Sequence, residues 1–190
     1  MLSRHRITSL LHASLLVAAI AVPLAASPAV GDKAPDFALH SVRGSEVRLS
    51  QVTAKGPVVL VVLRGYPGYQ CPFCNRQVQD FLRSSAEFVQ AGASVILVYP
   101  GPAQDLDVKA GEFLRDKTLP GNFDLLLDPG YVFTNLYGLR WDAPSETAYP
   151  STFLIDQHGV VFFAKSSKSH GGRTSAAEIL EVLPKPKRAQ

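Results

Sequence analysis

The sequence predicts an α/β domain with a central mixed sheet and helices on both faces. Short, continuous apolar runs bounded by Gly and Pro indicate strands that are buried on both faces. Longer amphipathic stretches indicate helices, and the two kinds of segment alternate along the chain, which is typical of such sheets. With 190 residues, of which 46% are apolar, the chain has enough material for one full core.

The N-terminus up to residue 29 has the composition of a secretory signal peptide. Arg4 and Arg6 form a positively charged start, and residues 10–26 are almost wholly apolar. An uncleaved membrane anchor is the alternative, but Pro23 and the small residues that follow it favour cleavage. We therefore expect a periplasmic or secreted protein that has no stable membrane association after cleavage.

Charge argues against a nucleic-acid partner. The formal net charge is +3 at pH 7, and loss of Arg4 and Arg6 with the signal peptide leaves +1. A nearly neutral domain lacks the basic surface that nucleic-acid binding requires. The mature domain is expected to cover residues 30–183, followed by a disordered basic tail at residues 184–190.

The first half of the domain begins with an extended lead-in and an N-terminal hairpin, predicted from a polar turn at residues 43–45 and alternating apolar positions. The alternating positions are Val47, Leu49 and Val52. A β-branched run at residues 57–63 is the first buried strand, and residues 93–99 are the second, which Pro100 stops. Between them, the apolar positions from Phe73 to Val89 predict an amphipathic helix.

The second half alternates in the same way. We expect a helix from Ala103 to Lys117, a short strand at residues 124–127, and a short helix at residues 131–137. Pro150 begins a strand, where it is tolerated as an edge feature, and a turn at residues 157–159 leads into its hairpin partner. A last helix runs from Thr174, as its cap, to Leu183.

Both cysteines lie between the first buried strand and the first helix. Pro72 suits the first helical position, because its missing amide hydrogen would have no partner there. Cys71 is then the cap and Cys74 lies one turn inside, so unpaired backbone amides and the helix dipole favour the thiolate of Cys71. We expect Cys71 to be the more acidic and more accessible thiol, with Cys74 as the resolving thiol.

Other interpretations of the cysteine pair remain open. In an oxidising compartment the two thiols can form a stable bridge, an oxidant or a reductant. A tetrahedral zinc site would need two more ligands, and the candidates His158 and His170 are not spaced as a second pair. A copper or zinc carrier that uses both sulfurs and a histidine is the non-enzymatic alternative, whereas the redox interpretation requires no metal and no cofactor.

Three sequence motifs, taken in their order along the chain, indicate a protein family. They are Gly-Asp-Lys-Ala-Pro-Asp-Phe at residues 31–37, the strand that leads into Cys-Pro-Phe-Cys at residues 71–74, and Tyr-Pro-Ser-Thr-Phe-Leu-Ile-Asp at residues 149–156. Together they resemble the thioredoxin-fold redoxins and, more narrowly, the alkyl hydroperoxide reductase/thiol-specific antioxidant (AhpC/TSA) family. This resemblance implies a thioredoxin-like fold in which Pro150 is a cis-proline facing the cysteines. It also implies that backbone beside Pro150 pairs with an extended substrate and that Tyr149 lines the site.

The chain departs from the patterns that it resembles. Peroxidases of this family carry a proline and a threonine or serine where this chain has Arg64 and Gly68, and an arginine where Pro150 stands. Thioredoxins keep an acid at the position of Gly65. Arg64 either favours the thiolate of Cys71 or is a solvated residue that leaves the strand.

The residues and the resemblance together predict a thiol-based oxidoreductase. Cys71 attacks a disulfide or hydroperoxide, Cys74 resolves the intermediate as an intramolecular disulfide, and Arg64, Tyr149 and Pro150 contact the substrate. A dedicated thiol peroxidase is the catalytic alternative. The expected partners are a protein disulfide or dithiol, or a hydroperoxide, and an electron donor that the sequence does not identify. Because peroxide cleavage needs donors placed on both oxygens, disulfide exchange is expected to be faster.

Overall fold

The computed structural model describes residues 26–185, so most of the predicted signal peptide and the last five residues of the predicted tail lie outside the described residues. The strands are β1 Ala38–His40, β2 Glu46–Arg48, β3 Val58–Val62, β4 Ser94–Gly101, β5 Phe123–Pro129, β6 Ser151–Ile155 and β7 Val161–Ser166. The helices are α1 Leu49–Thr53, α2 Pro72–Arg83, α3 Ser85–Gln90, α4 Leu106–Leu114, α5 Val132–Leu136 and α6 Ala176–Val182. None of the described helices is long and apolar enough to cross a membrane.

The central sheet is mixed, with the strand order β5-β4-β3-β6-β7. β4 runs parallel to both β3 and β5, whereas β6 runs antiparallel to β3 and β7. β1 and β2 pair with each other as a separate antiparallel hairpin. The predicted mixed sheet and N-terminal hairpin are therefore confirmed.

Helices cover both faces of this sheet, as predicted. On one face, alternate residues of β3 and β4 pack against α2, α3, α4 and α6 in a cluster that includes both cysteines. On the other face, the intervening residues of the same strands pack against the lead-in, α1 and α5. Each side chain of β3 is fully buried because the strand lies in the middle of these two clusters.

The register of the sheet determines where the cysteine loop lies. Val62, the last residue of β3, pairs with Ser151, the first residue of β6. Pro150 therefore lies at the same end of the sheet as the loop that leads to Cys71. The expectation that Pro150 begins an edge strand is wrong, because β6 lies between β3 and β7; its missing amide is tolerated because Pro150 precedes the ladder.

Some helix boundaries also differ from the prediction. The segment with Leu49 and Val52 continues the hairpin as the short helix α1 instead of a strand, and it buries Leu49 and Thr53, which are one helical turn apart. The first helix is broken at Ser84 into α2 and α3. α4 begins three residues later than expected because Asp105 adopts a left-handed conformation, with φ 55°.

The last helix is capped one residue later than predicted. Ser175 is the cap, and its hydroxyl accepts a hydrogen bond from the amide of Glu178. The predicted cap, Thr174, is buried instead, and its hydroxyl lies 2.8 Å from that of Thr152 in β6. The last helix is thus joined to the central sheet immediately before it begins.

Candidate active site

The structure places Cys71 at the N-cap of α2, with Pro72 in the first helical position. Cys71 has an extended backbone conformation, and its Sγ accepts a hydrogen bond from the amide of Cys74, with 3.4 Å between the atoms. The sulfur thus contacts one of the amides that have no partner within the helix. This is the geometry that the spacing of the two cysteines predicts.

Both thiols are free and fully buried, with 0% of either residue exposed. The exposed fraction therefore does not distinguish the two thiols, and the greater accessibility of Cys71 stays a prediction. Their burial follows from the packing of α2, whose inward face carries Cys74 and Val78 into the core cluster that also contains Cys71. Nearby surface is supplied by the more exposed aromatic residues Tyr69 and Phe73.

A second group of donors comes from outside the helix. The backbone amide of Arg64 lies 3.3 Å from the Sγ of Cys74. The guanidinium of Arg173 lies 3.5 Å from the same sulfur and 4.0 Å from that of Cys71. Because thiolate sulfur is an acceptor, these contacts favour a negative charge on the pair.

Arg173 is held in place by two further hydrogen bonds. Its Nε donates to the carbonyl of His170, and its Nη1 donates to the Oε1 of Gln77, both at 3.0 Å. Sequence reasoning missed this residue because it lies in a loop about a hundred positions from the cysteines. The cap interaction of Asp80 with the amide of Ala176, at 2.8 Å, fastens α6 to α2 and brings the preceding loop to the sulfurs.

The two thiols have very different acidities. A hydrogen bond from the thiol of Cys74 is the main cause that lowers the pKa of Cys71, from an ordinary 9.0 to about 5. Burial opposes this shift, whereas the amide of Cys74 and the charges of Arg173 and Arg64 add to it. Burial and the hydrogen bond to Cys71 raise the pKa of Cys74. Cys71 is therefore the more acidic thiol, and Cys74 carries the proton.

Arg64 belongs to a separate ion pair instead of serving as a solvated strand end. Its side chain is only 2% exposed, and its Nε lies 2.5 Å from the Oε2 of Glu146. It also donates to the hydroxyl of Tyr69, at 2.6 Å, and to the carbonyl of Ser145. The guanidinium is therefore engaged away from the sulfurs, and its effect on the pKa of Cys71 is smaller than that of Arg173.

Glu146 connects this pair to the loop that carries Arg173. Its Oε1 lies 2.8 Å from the Nε2 of His170. Burial acts to raise the pKa of Glu146, but the hydrogen bonds from Arg64 and His170 outweigh it and lower the pKa. The sequence gives no local signal for this carboxylate, because its partners lie far away along the chain.

Pro150 and Tyr149 lie beside the site in a conformation that differs from the expectation. No peptide bond within residues 26–185 is cis, so the expected cis bond at Pro150 is absent. Both residues lie between the bridge that Ala148 forms with Arg140 and the start of β6 at Ser151. Tyr149 stacks on Trp141, with 4.8 Å between ring centroids and 13° between planes.

The histidines do not join the cysteines in a metal site. The imidazole of His170 lies against Glu146 and Trp141, while His158 lies in the turn between β6 and β7. In the part of the chain that the structure describes, no three His, Cys, Asp or Glu side chains are grouped to hold a metal ion. The ligand set that a copper or zinc carrier would need is thus not assembled there.

Gly65 explains why this chain has no acid behind the cysteines. Its φ is +62°, and a Cβ at this position would lie 1.9 Å from the carbonyl oxygen of Pro100. That distance leaves no space for any side chain, so the acid of thioredoxins is excluded on steric grounds. Within the described residues, the groups that donate hydrogen bonds to the two sulfurs are the backbone amides of Arg64 and Cys74 and the guanidinium of Arg173.

Comparisons with known proteins agree with the fold and with an oxidoreductase activity. A sequence model of the AhpC/TSA family matches residues 30–164. Peroxiredoxin Bcp of Bacillus subtilis is 32% identical over 160 residues, which are 81% of this chain and 94% of that protein. The thiol-disulfide oxidoreductase ResA of Halalkalibacterium halodurans is 26% identical over 156 residues, which are 80% of this chain and 76% of ResA.

Solved structures show the same two kinds of relative. Peroxidoxin BcpB from Mycobacterium tuberculosis superposes with a TM-score of 0.63 and 25% identity, over 82% of this chain and 96% of that one. A putative thiol:disulfide interchange protein DsbE from Chlorobium tepidum has a TM-score of 0.60 and 29% identity, over 83% of this chain and all of that one. Peroxide-linked and disulfide-linked proteins thus both resemble this chain.

Proposed function

The chain belongs to the AhpC/TSA family and is a thiol-based oxidoreductase, and we propose that Cys71 is its nucleophile and Cys74 its resolving thiol. The observation that carries this assignment is the environment of Cys71, whose sulfur lies at the cap of α2 near Cys74 and Arg173. An acidic thiol with a protonated thiol one turn away has the arrangement needed to attack and then to be resolved.

With a disulfide substrate, the thiolate of Cys71 attacks one substrate sulfur and the other leaves as a thiolate. The sulfur of Cys74 then attacks Cys71 and releases the second substrate thiol, so two electrons pass from the protein to the substrate. The same steps in reverse oxidise a substrate dithiol and reduce the Cys71–Cys74 disulfide. With a hydroperoxide, Cys71 takes the terminal oxygen as a sulfenic acid and an alcohol leaves. Condensation with Cys74 releases water and forms the same intramolecular disulfide.

We favour disulfide exchange as the faster of the two reactions. Peroxide cleavage needs donors fixed on both oxygens, and each missing donor of this kind typically costs about two to three orders of magnitude in rate. Gly68 and Pro150 have no side-chain donor, and the guanidinium of Arg64 is engaged by Glu146. Tyr149, stacked on Trp141 beside Pro150, is proposed to contact an extended polypeptide substrate.

A dedicated thiol peroxidase is the second candidate, and two observations favour it. The sulfurs are fully buried, which suits a small substrate better than a protein disulfide. Arg173 also brings a guanidinium to the sulfurs, although this chain lacks the arginine that peroxidases of the family carry where Pro150 stands. In this case Arg173 would stabilise the oxygen that leaves.

Stopped-flow oxidation of the reduced protein separates these candidates. The only tryptophan, Trp141, lies 5.4 Å from the His170 ring and provides a fluorescence signal close to the site. We expect oxidised glutathione or a disulfide peptide to react faster than hydrogen peroxide. A peroxide rate constant above roughly 10⁴ M⁻¹s⁻¹, in the range of efficient enzymes, would favour the peroxidase instead.

We also propose that the protein acts in the periplasm or as a secreted protein. The support is the charged start and the apolar run that precede residue 30. In such a compartment the Cys71–Cys74 disulfide persists between turnovers. Its partners would be protein disulfides or dithiols, or hydroperoxides, together with an electron donor of the thioredoxin type.

A further inference from the structure

The contacts around the two sulfurs favour one redox state over the other. A thiolate exists only when the cysteine pair is reduced, and it is a strong acceptor for charged and backbone N–H donors. A disulfide is neutral and only a weak acceptor. The amide of Arg64, the amide of Cys74 and the guanidinium of Arg173 therefore stabilise the reduced pair more than the oxidised pair.

Arg173 is the charged member of this set, and its other partners carry no charge. They are the carbonyl of His170 and the amide oxygen of Gln77. Within residues 26–185 Arg173 forms no ion pair with a carboxylate, and the Sγ of Cys71 lies 4.0 Å from its guanidinium, so the thiolate serves as its counter-charge. Arg64 is different, because its counter-charge is the carboxylate of Glu146 and not a cysteine thiolate.

Oxidation of the two cysteines removes the negative charge that Arg173 contacts. When Cys71 and Cys74 form a disulfide, the thiolate charge disappears and the hydrogen bond between the two sulfurs is lost. Arg173 is then a partly buried guanidinium beside a neutral S–S bond, which is unfavourable. Reduction of the disulfide restores the counter-charge.

We propose that Arg173 sets the redox poise of the Cys71–Cys74 pair and makes the protein an oxidant of dithiols. This inference rests on the proposed function, since it requires that the two cysteines form a disulfide. It goes further by assigning the direction of electron flow. Arg173 acts here through its direct contacts with the two sulfurs.

The reaction follows from the same geometry. A substrate thiolate attacks the Sγ of Cys71, the S–S bond breaks, and Cys74 leaves and takes a proton. The second substrate thiol then attacks the substrate sulfur of the mixed disulfide, and Cys71 leaves as a thiolate, which a low pKa makes faster. The substrate loses two electrons and the protein gains them, and a hydroperoxide can then reoxidise Cys71 and Cys74 with release of an alcohol and water.

The test is the equilibrium between the full-length protein and mixtures of reduced and oxidised glutathione. Alkylation and mass spectrometry measure the fraction with the Cys71–Cys74 disulfide. We expect Arg173→Gln to make the protein at least tenfold less oxidising, which is about 30 mV for a two-electron couple. Arg173→Lys should recover most of the difference, because it keeps the charge.

Arg83→Gln is the matched control. Arg83 lies on the same helix as Cys74, has a 70% exposed side chain and pairs with Asp80 at 3.4 Å. Arg83→Gln removes the same charge from a residue that does not contact a sulfur. The equilibrium constant of this variant with glutathione should therefore stay within about twofold of the wild-type value. Absorbance of the thiolate near 240 nm provides a second measurement, because Arg173→Gln should raise the pKa of Cys71 whereas Arg83→Gln should not.

Gln77→Met keeps the test valid if Arg173→Gln does not fold. This variant retains the guanidinium of Arg173 but removes the Gln77 oxygen that accepts a hydrogen bond from it. We therefore expect the equilibrium constant with glutathione to change in the same direction as in Arg173→Gln, but by less. Equal constants for the wild type and Arg173→Gln would overturn the inference alone. The inference would also be overturned if the wild-type protein proved less than tenfold more oxidising than thioredoxin, measured as the equilibrium constant with glutathione in the same buffers. Failure of the wild-type protein to form the Cys71–Cys74 disulfide in any of the buffers would overturn the proposed function, and the inference with it.

Discussion

Arg64 and Glu146 form an ion pair beside the cysteine loop, with 2.5 Å between Nε and Oε2 and exposures of 2% and 12%. Glu146 also binds His170, whose carbonyl accepts a hydrogen bond from Arg173. One carboxylate therefore connects the residue that follows β3 with the loop that brings Arg173 to the sulfurs. The two side chains of the pair make no contact with either sulfur, although the backbone amide of Arg64 lies 3.3 Å from the Sγ of Cys74.

Removal of the carboxylate should cost much more stability than removal of an exposed one. Glu146→Ala leaves Arg64 buried without its counter-charge, so we expect the free energy of unfolding to fall by about 3 kcal/mol or more. Glu178→Ala is the control, because its pair with Lys165 is 37–39% exposed and should be worth at most about 1 kcal/mol. Urea unfolding measures the free energy of unfolding of both variants. Equal losses would show that the buried pair contributes no more to stability than the exposed one.

Gly65 should tolerate no side chain. Gly65→Ala places a Cβ 1.9 Å from the carbonyl oxygen of Pro100 at a φ of +62°. A left-handed alanine alone costs about 1–2 kcal/mol, and the displaced backbone adds to that, so we expect a loss of about 3 kcal/mol or more.

The matched control is Gly111→Ala in α4, where a Cβ meets nothing within 4 Å. This change should raise stability by about 1 kcal/mol, because alanine is the better helix former. Thermal and urea unfolding of the two variants should therefore change in opposite directions. A neutral Gly65→Ala would mean that the close approach of Pro100 is easily relieved.

The acidity of Cys71 predicts a distinct pH profile. Its pKa is lowered to about 5, so alkylation of the reduced protein should be half-maximal near pH 5 and level above it. Since the folded pKa lies below the ordinary 9.0, this group adds stability that is complete above pH 9 and is lost as the pH falls to about 5. A half-maximal alkylation pH near that of a free thiol, about 8.5, would contradict the assignment.

The parts of the site that depend on neighbouring residues were predictable from the sequence. The apolar run before Arg64 marks a buried strand, and Pro72 marks the start of α2, so Cys71 falls at the cap. Helix ends were less predictable because they depend on single conformations, such as the left-handed Asp105 that delays α4. A shift of one residue likewise moved the last cap from Thr174 to Ser175.

The parts that depend on distant contacts were not predictable. Arg173 reaches the sulfurs only because α6 packs against α2, and no periodicity relates residues 173 and 71. The partner of Arg64 lies 82 positions away, so the sequence did not show whether its guanidinium turns toward Cys71 or elsewhere. Burial of both thiols is also a tertiary effect, since a cap position by itself is usually exposed.

Export is the prediction that concerns residues outside the described part of the chain. The charged start and the apolar run to Ala26 predict cleavage, with a mature protein that begins near Pro28 or Val30. Mass spectrometry of the protein from fractionated cells should find this N-terminus in the periplasm or medium. An intact N-terminus from Met1 to Ala26 on cytosolic protein would contradict it.

Trapping of mixed disulfides tests the division of labour between Cys71 and Cys74 most directly. The two variants are Cys71→Ser and Cys74→Ser, each incubated with the same disulfide substrate and separated without reductant; the double variant is the control for unrelated adducts. The environment of Cys71 predicts that Cys74→Ser accumulates a covalent mixed disulfide, because Cys71 attacks and nothing resolves it. Cys71→Ser should accumulate little, because the remaining thiol of Cys74 has a raised pKa and is mostly protonated. Accumulation in Cys71→Ser but not in Cys74→Ser would contradict the assignment and reverse the two roles.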